Sequence, residues 1–161
     1  MPANRRALLA GATGLVGRAL LPLLLRGHAS LEVLARRSVD LGAEPRLHLH
    51  VVDFASLPTP LPSVDDVFIA LGTTIRVAGS QAAFRSVDFD AVVAVARAAR
   101  AAGATRLAIV SALGADPASG VFYNRVKGDM EAAVALLGYD SVTLARPSLL
   151  LGDRAALGQP V

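Results

Sequence analysis

The fold is decided by the stretch Arg5-Arg6-Ala7-Leu8-Leu9-Ala10-Gly11-Ala12-Thr13-Gly14-Leu15-Val16-Gly17. Its first half, Arg5–Ala10, is short and apolar and predicts a buried parallel strand, and a helix is predicted directly after the glycines, over Leu15–Arg26. Glycines at this spacing let the backbone turn sharply and approach a ligand, and the free N–H groups at a helix start bind anions. An ordinary tight turn also uses glycines, but the strand–loop–helix context favours a seat for the pyrophosphate of a dinucleotide cofactor.

The rest of the chain alternates predicted strands with predicted helices. Two further helices are predicted, Gln81–Ala102 and Phe122–Leu137, and each is closed by a glycine. Five further strands are predicted from short apolar runs, namely Leu31–Ala35, Arg46–Val52, Val67–Leu71, Arg106–Val110 and Val142–Ala145. This alternation predicts a single α/β domain over residues 1–161, a doubly wound parallel sheet with helices on both faces, as in the NAD(P)-binding Rossmann fold.

The composition excludes several classes of protein. The 161 residues include no cysteine, so disulfides, thiolate metal ligands and a cysteine nucleophile are ruled out. The formal net charge is +3, and the basic residues are scattered rather than clustered, without the basic patch of a nucleic-acid binder. No uninterrupted apolar run reaches the ~18 residues of a membrane span. We therefore expect a cytoplasmic protein with no metal, no nucleic acid and no membrane partner.

The end of the second predicted strand bears on the type of dinucleotide. A cofactor without a 2′-phosphate is normally met there by an acidic residue, but this strand is followed by Arg36 and Arg37. Arginine pairs well with phosphate, which favours NADP(H) over NAD(H) unless both side chains are simply solvated. Asp53, after the third strand, either reaches the adenine edge or caps a turn. The candidate cofactor contacts are Gly11, Thr13, Gly14, Leu15, Val16, Gly17, Arg36, Arg37, Asp53, Phe54, Leu71, Gly72 and Thr73.

Ser111, Tyr123 and Lys127 form the most informative set of side chains. Tyr123 and Lys127 are four residues apart on a predicted helix and share one face, and Ser111 ends the neighbouring strand at the same edge of the sheet. Reduction of a carbonyl needs a proton donor, and a nearby ammonium stabilises a phenolate. A Tyr-x-x-x-Lys pair alone is common. Combined with the glycine loop and Ser111, it predicts a catalytic site in which Tyr123 and Lys127 also contact the cofactor.

The glycine loop, Ser111 and Tyr123-Asn124-Arg125-Val126-Lys127 resemble the short-chain dehydrogenase/reductase superfamily, in its extended or atypical branch. Residues 70–99, 110–134 and 145–154 resemble the oxidoreductase family named for its mammalian Tat-interacting member. The resemblance spans nearly the whole chain and implies NADP(H) binding. It puts Ser111, Tyr123 and Lys127 in the catalytic positions and carries Arg146, Pro147 and Ser148 past the nicotinamide end of the cofactor.

The chain departs from that resemblance at two places. Asp88 stands where many relatives carry an asparagine thought to relay protons. Relatives also continue past the Arg-Pro motif with a further small segment that covers the substrate, whereas fourteen residues follow Pro147. We therefore expect a covering segment that is truncated or minimal, and an open pocket.

Two functions remain open at this point. In the first, NADPH delivers hydride to the carbonyl of a small molecule held by Ser111, while Tyr123 donates the proton and Lys127 supports both. In the second, the chain is an NADP(H)-binding sensor or regulator with little turnover that acts through a protein partner. The intact triad favours the first function, and the short C-terminal segment favours the second. The alanine-rich helix Gln81–Ala102 is compatible with a homodimer, although packing on its own sheet explains it equally well.

Overall fold

Six parallel strands form the centre of the computed structural model, which describes residues 3–157. The strands are β1 (Ala3–Ala10), β2 (His28–Ala35), β3 (Leu47–Val51), β4 (Asp66–Ile69), β5 (Arg106–Val110) and β6 (Ser141–Ala145). Their order across the sheet is β3-β2-β1-β4-β5-β6, and all neighbours are parallel. The strand order reverses between β1 and β4, which opens a crevice at their carboxyl ends. The predicted domain is longer at both ends, and residues 1–2 and 158–161 lie outside the described residues.

Helices cover both faces of the sheet. The helices are α1 (Leu15–Gly27), α2 (Ile75–Ala78), α3 (Gln81–Arg85), a π-helical segment (Ser86–Ala91), α4 (Val92–Ala101), α5 (Phe122–Ala135) and a 3₁₀ turn (Ala155–Leu157). Neighbouring residues of a strand point to opposite faces. Leu9 accordingly packs with Leu24 of α1, whereas Leu8 belongs to the core that contains Val95 of α4 and Met130 of α5. The predicted doubly wound α/β fold is therefore confirmed.

Several predicted bounds are wrong by two or three residues. β2 begins at His28 rather than Leu31, because α1 runs directly into it and His28 pairs with Ala3 of β1. β4 ends at Ile69, so Leu71 lies in the loop after the strand. α5 ends at Ala135 rather than Leu137, because the backbone tightens at its end and the Leu136 N–H donates to the Ala133 carbonyl, three residues back.

The predicted helix Gln81–Ala102 is interrupted by another helix type. α3 continues into the π-helical segment Ser86–Ala91 and then into α4, so the helical stretch is continuous but not α-helical throughout. A π turn holds one extra residue and is often found at functional sites. The same stretch carries Asp88, and its side chain is fully buried. The short helix α2 was not predicted; the hydroxyl of Thr74 caps it by accepting from the Val77 N–H at 3.1 Å.

Candidate active site

The glycine loop joins β1 to α1 at the crevice. Gly11 has a φ of +96°, and a Cβ atom on it would lie 2.5 Å from the carbonyl oxygen of Ala70. By contrast, the Cβ position of Gly14 has its nearest atom at 3.7 Å, the Gly11 carbonyl oxygen, so the space in front of this residue is open. The first N–H groups of a helix have no partner within the helix. The loop at the start of α1 therefore fits the pyrophosphate of a dinucleotide.

A depression of about 520 Å³ lies beside this loop. It is lined by Ala12, Thr13, Arg18, Leu21, Val39, Asp40 and Leu41. Sequence reasoning missed two charged residues of this lining, Arg18 and Asp40. Arg18 follows Gly17 directly, so its place in the first turns of α1 was the available signal. Because Asp40 is part of the lining, a carboxylate does lie near the predicted cofactor site. This carboxylate accepts the Gly42 N–H at 2.9 Å.

The predicted contacts at the ends of β2 and β3 are spread more widely. Arg36 and Arg37 are exposed just after β2 and do not line the depression. The Asp53 carboxylate accepts the Ala55 N–H at 2.9 Å, so it caps a turn, the second of its two predicted roles. Phe54 is half-buried and packs against the core. These positions leave the glycine loop as the best-formed part of the predicted cofactor site.

The three predicted catalytic residues come from β5 and α5. Ser111 follows the last residue of β5, and its buried hydroxyl lies close to the Glu131 carboxylate of α5. Tyr123 and Lys127 lie in the first two turns of α5, and the Lys127 Nζ is 5.8 Å from the centroid of the Tyr123 ring. The Tyr123 ring packs on Phe84, with centroids 5.3 Å apart. A hydroxyl both donates and accepts, so Ser111 is suited to meet a polar atom of a ligand.

Lys127 is paired with Asp88 of the π-helical segment. The Nζ of Lys127 lies 2.6 Å from Oδ1 of Asp88, and the Thr73 N–H donates to Oδ2 at 3.0 Å. Burial raises the pKa of Asp88 above its usual value, although the nearby Lys127 ammonium opposes that shift. Gly72 lies next to the pair, and a Cβ atom on it would be 3.5 Å from the Asp88 carboxylate. Sequence reasoning noted Asp88 as a departure from the family but did not predict this contact.

Arg146 and Glu131 form a second ion pair close to Ser111. Arg146 Nε donates to Oε1 of the buried Glu131 at 3.0 Å, and a second contact joins Nη2 to Oε2. Burial disfavours the Glu131 carboxylate, but its bonds with the Arg146 guanidinium help to hold its pKa below the usual value. The Leu113 N–H donates to the Pro147 carbonyl at 3.2 Å, so the predicted Arg146–Ser148 segment passes beside the end of β5. Glu131 was missed, although it is one turn after Lys127 on the same helix.

Metal-binding groups and membrane-spanning helices are two further features that the described residues could contain. No group of three or more histidine, cysteine, aspartate or glutamate side chains within residues 3–157 is arranged to hold a metal ion. None of the helices described there is both long and apolar enough to cross a membrane.

The sequence of this chain is similar to those of known proteins. Residues 11–142 match the family described as NAD(P)H-binding. The chain belongs to this NAD(P)H-binding family. It is 36% identical to the FMP52 protein of Coccidioides immitis, covering 89% of this chain and 65% of that protein, and 35% identical to rat HTATIP2, covering 94% and 65%. The predicted membership of an atypical short-chain dehydrogenase/reductase group related to the Tat-interacting member is confirmed. The chain spans about two thirds of the length of these relatives.

Solved structures with the same fold support the architecture. The human epimerase family protein SDR39U1 with NADPH superposes with a TM-score of 0.69 at 21% identity, covering 91% of this chain and 55% of that one. MoeE5 in complex with UDP-glucose and NAD gives 0.71 at 19% identity, covering 88% and 53%. At these identities the likeness shows that the NAD(P)H-binding chain has a Rossmann-like fold.

The expected cytoplasmic location is wrong. The FMP52 relatives of Coccidioides immitis, Eremothecium gossypii and Emericella nidulans are named as mitochondrial proteins. The expectation came from composition, which sets the physical class of a chain but carries no address signal.

Proposed function

We propose that this chain is an NADP(H)-dependent oxidoreductase that reduces a carbonyl group. The proposal rests above all on Ser111, whose buried hydroxyl lies at the end of β5 beside the Glu131 carboxylate. A hydroxyl donates one hydrogen bond and has two acceptor lone pairs, so Ser111 keeps hydrogen-bonding capacity for a ligand. Tyr123 and Lys127 lie on the adjoining helix, so a proton donor and a cation accompany the hydroxyl.

Each catalytic side chain has a separate task in the proposed reaction. Bound NADPH supplies a hydride to the carbonyl carbon. The Ser111 hydroxyl donates a hydrogen bond to the carbonyl oxygen, and the phenol of Tyr123 gives that oxygen its proton. The Lys127 ammonium binds the hydroxyls of the cofactor ribose and stabilises the phenolate that Tyr123 leaves behind. The Phe84 ring supports the Tyr123 ring by packing against it, with the two planes tilted by 37°.

The preference for NADP(H) rests on three arginines at one end of the crevice. Arg18 lines the depression beside the glycine loop, and Arg36 and Arg37 follow β2 with exposed side chains. Arginine is suited to pair with a 2′-phosphate. Asp40 lines the same depression and counts against a phosphate there, but its carboxylate is engaged with the Gly42 N–H. The human SDR39U1 structure, which has the same fold, contains NADPH.

A substrate screen with a matched variant tests the function. Wild-type protein is incubated with NADPH and a panel of aldehydes, ketones and quinones, and the loss of NADPH absorbance is followed. Tyr123→Phe should lower activity on any accepted carbonyl by about 10²-fold or more while leaving NADPH affinity nearly unchanged. No turnover above background with any carbonyl would contradict the enzymatic function, and activity that survives Tyr123→Phe undiminished would contradict the role of Tyr123.

A regulatory function is the second candidate, and exposed apolar side chains favour it. Leu113 follows Ser111 closely and is 65% exposed, and Leu149 and Leu151, beyond the Arg-Pro motif, are 75% and 86% exposed. A contiguous apolar patch on a surface often marks the site of a partner protein, and in this second candidate function the three leucines contribute to such a patch. NADPH binding at micromolar affinity without turnover of any carbonyl in the screen would favour this sensor function.

A further inference from the structure

Asp88 is the most deeply buried charged residue of residues 3–157, and only 1% of its side chain is exposed. We propose that Asp88 is a positioning residue that holds the Lys127 ammonium at the crevice. This role rests on the proposed function, in which Lys127 binds the cofactor ribose.

The carboxylate of Asp88 joins two elements of the site. Its Oδ1 lies 2.6 Å from the Lys127 Nζ on α5, and its Oδ2 accepts the Thr73 N–H at 3.0 Å in the loop after β4. The carboxylate therefore makes an ion pair through Oδ1 and accepts a hydrogen bond through Oδ2, which links the ammonium to the backbone at the edge of the crevice. Because Lys127 is itself only 4% exposed, little solvent competes for its charge.

The Asp88–Lys127 ion pair is one of two neighbouring contacts between the α3–π-helical stretch and α5. Phe84 packs on Tyr123, and Asp88, four residues later, pairs with Lys127, which is four residues after Tyr123. One helical stretch thus supports both the proton donor and the cation of the other stretch. The spacing fixes the two functional side chains relative to each other, which is what a preorganised site requires.

The contacts of Asp88 are those of a counter-ion. Within residues 3–157 the polar groups recorded at its oxygens are the Lys127 ammonium and the Thr73 N–H. Both are donors, so both favour the ionised form of the carboxyl group. Asp88 therefore acts as a fixed counter-ion to the Lys127 ammonium.

The backbone at Gly72 lies against this ion pair. A Cβ atom at position 72 would lie 3.5 Å from Oδ1 of Asp88 and 3.9 Å from the Nζ of Lys127. These are ordinary contact distances, so the close approach of the backbone does not itself require a glycine.

The experiment uses the fact that Lys127 is the only lysine of the chain. Protein labelled with ¹³C-lysine gives one Hε–Cε group in an NMR spectrum. A fixed side chain has two distinct Hε signals, whereas a freely rotating one averages them. We expect two signals in the wild type and one averaged signal in Asp88→Asn. Asp129→Asn, two residues along α5, removes the half-exposed pair with Arg85 and should leave two signals.

A double-mutant cycle measures Tm of the ligand-free wild type, the two single variants and the double variant. It isolates the Asp88–Lys127 interaction from the destabilisation that each single substitution causes by itself. Asp88→Asn and Lys127→Met should each lower Tm by about 10 °C, since each leaves a buried group without its partner. The double variant should lose clearly less than the sum. Additive losses, or two Hε signals retained in Asp88→Asn, would overturn the proposal.

Cofactor binding separates this inference from the proposed function. Asp88→Asn should weaken NADPH binding at least tenfold, because a mobile ammonium holds the ribose less well. If the wild type itself does not bind NADPH, the proposed function fails while the lysine signals and the cycle still report on the contact. Unchanged NADPH affinity in a folded Asp88→Asn variant would overturn the positioning role.

Discussion

The carbonyl oxygen of Gly11 lies 1.8 Å from the point that a Cβ atom of Gly17 would occupy. No side chain fits there, so the first turn of α1 rests directly on the backbone of the loop that precedes it. Gly14, between them, has an extended backbone with φ −78° and ψ 175° that any residue adopts. The three glycines of the loop therefore serve different purposes, and substitution separates them.

Gly17→Ala and Gly14→Ala should have opposite effects on stability and binding. Gly17→Ala forces the loop and α1 apart and should cost about 1–3 kcal/mol of folding free energy. Gly14→Ala meets nothing closer than 3.7 Å in the protein and should keep the wild-type Tm, but its methyl group enters the space proposed for the pyrophosphate. Differential scanning calorimetry and NADPH titration measure the two effects. Wild-type NADPH affinity in Gly14→Ala would mean that the pyrophosphate binds elsewhere.

Cofactor preference should depend on the arginines beside the adenosine end. We expect NADPH to bind at least tenfold more tightly than NADH, since a lost charge-assisted pair of about 1.4 kcal/mol gives that factor. Arg36→Asp and Arg18→Ala should each narrow the ratio, and isothermal titration with both cofactors measures it.

The matched control for cofactor preference is Arg26→Asp. Arg26 is exposed in the last turn of α1, at the end of the helix remote from the glycine loop, so it should leave the NADPH/NADH ratio unchanged. Equal affinities for the two cofactors in the wild type would show that the arginines face solvent.

Lys127→Arg should impair both cofactor binding and turnover, in contrast to Tyr123→Phe. Arginine keeps the charge but replaces a compact ammonium with a broad planar group. The Lys127 side chain is 5% exposed and packed against Asp88, so the larger group has little room. We expect NADPH affinity to fall about tenfold or more, measured by fluorescence titration. A Lys127→Arg variant that binds NADPH like the wild type would remove Lys127 from the cofactor site.

Acid stability should reflect the ion pair between Asp66 and Arg5. Arg5 donates to both carboxylate oxygens, at 2.9 and 2.6 Å, and with His28 it holds the pKa of Asp66 below its usual value. A carboxyl whose pKa is lower in the folded chain stabilises fully above its unfolded value of about 3.9, and this stabilisation is lost as pH falls through the folded value. Asp66→Asn should therefore lower Tm by about 5 °C at pH 7, with the difference shrinking below about pH 4.

Asp129→Asn is the control for this pH dependence. The Asp129–Arg85 pair is half-exposed on both sides, and such pairs contribute little to stability. Its Tm should stay within about 2 °C of the wild type throughout the pH range. A gap between Asp66→Asn and the wild type that is unchanged from pH 7 to pH 3 would contradict the ionic origin of the stabilisation.

The sequence predicts best those elements whose start and end are set by residues next to them in the chain. β5 was predicted residue for residue, because Arg106–Val110 is bounded by Gly103 and Ser111. β1 and the glycine loop were predicted from a spacing that few other structures use. The early start of β2 was missed, because its first residue pairs with Ala3 across the sheet and nothing in its own sequence marks it as a strand.

In the candidate site as well, contacts within one helix were predictable from the sequence, whereas contacts between elements were not. Tyr123 and Lys127 share a helix face, so their proximity follows from helical spacing alone. The partners of these residues come from elsewhere in the chain: Asp88 reaches Lys127, and Glu131 reaches Arg146, only after the sheet brings their elements together. No periodic pattern reports such tertiary contacts. The lining role of Asp40 was missed for a related reason, since the path of the loop after β2 depends on its packing.

The π-helical segment Ser86–Ala91 makes the site sensitive to the number of residues as well as to their identity. A π turn carries one residue more than an α turn, and each residue of an α-helix rotates the chain by about 100°. A one-residue deletion within the segment would restore an ordinary helix and leave α3 and α4 in nearly the same relative orientation, because a π turn absorbs its extra residue locally. Phe84 would stay on Tyr123, whereas Asp88, inside the segment, would turn away from Lys127, although Ser111, Tyr123 and Lys127 all remained in the sequence. In homologues that lack this extra residue, the side chain that faces the lysine should therefore be examined as well as the Ser, Tyr and Lys positions.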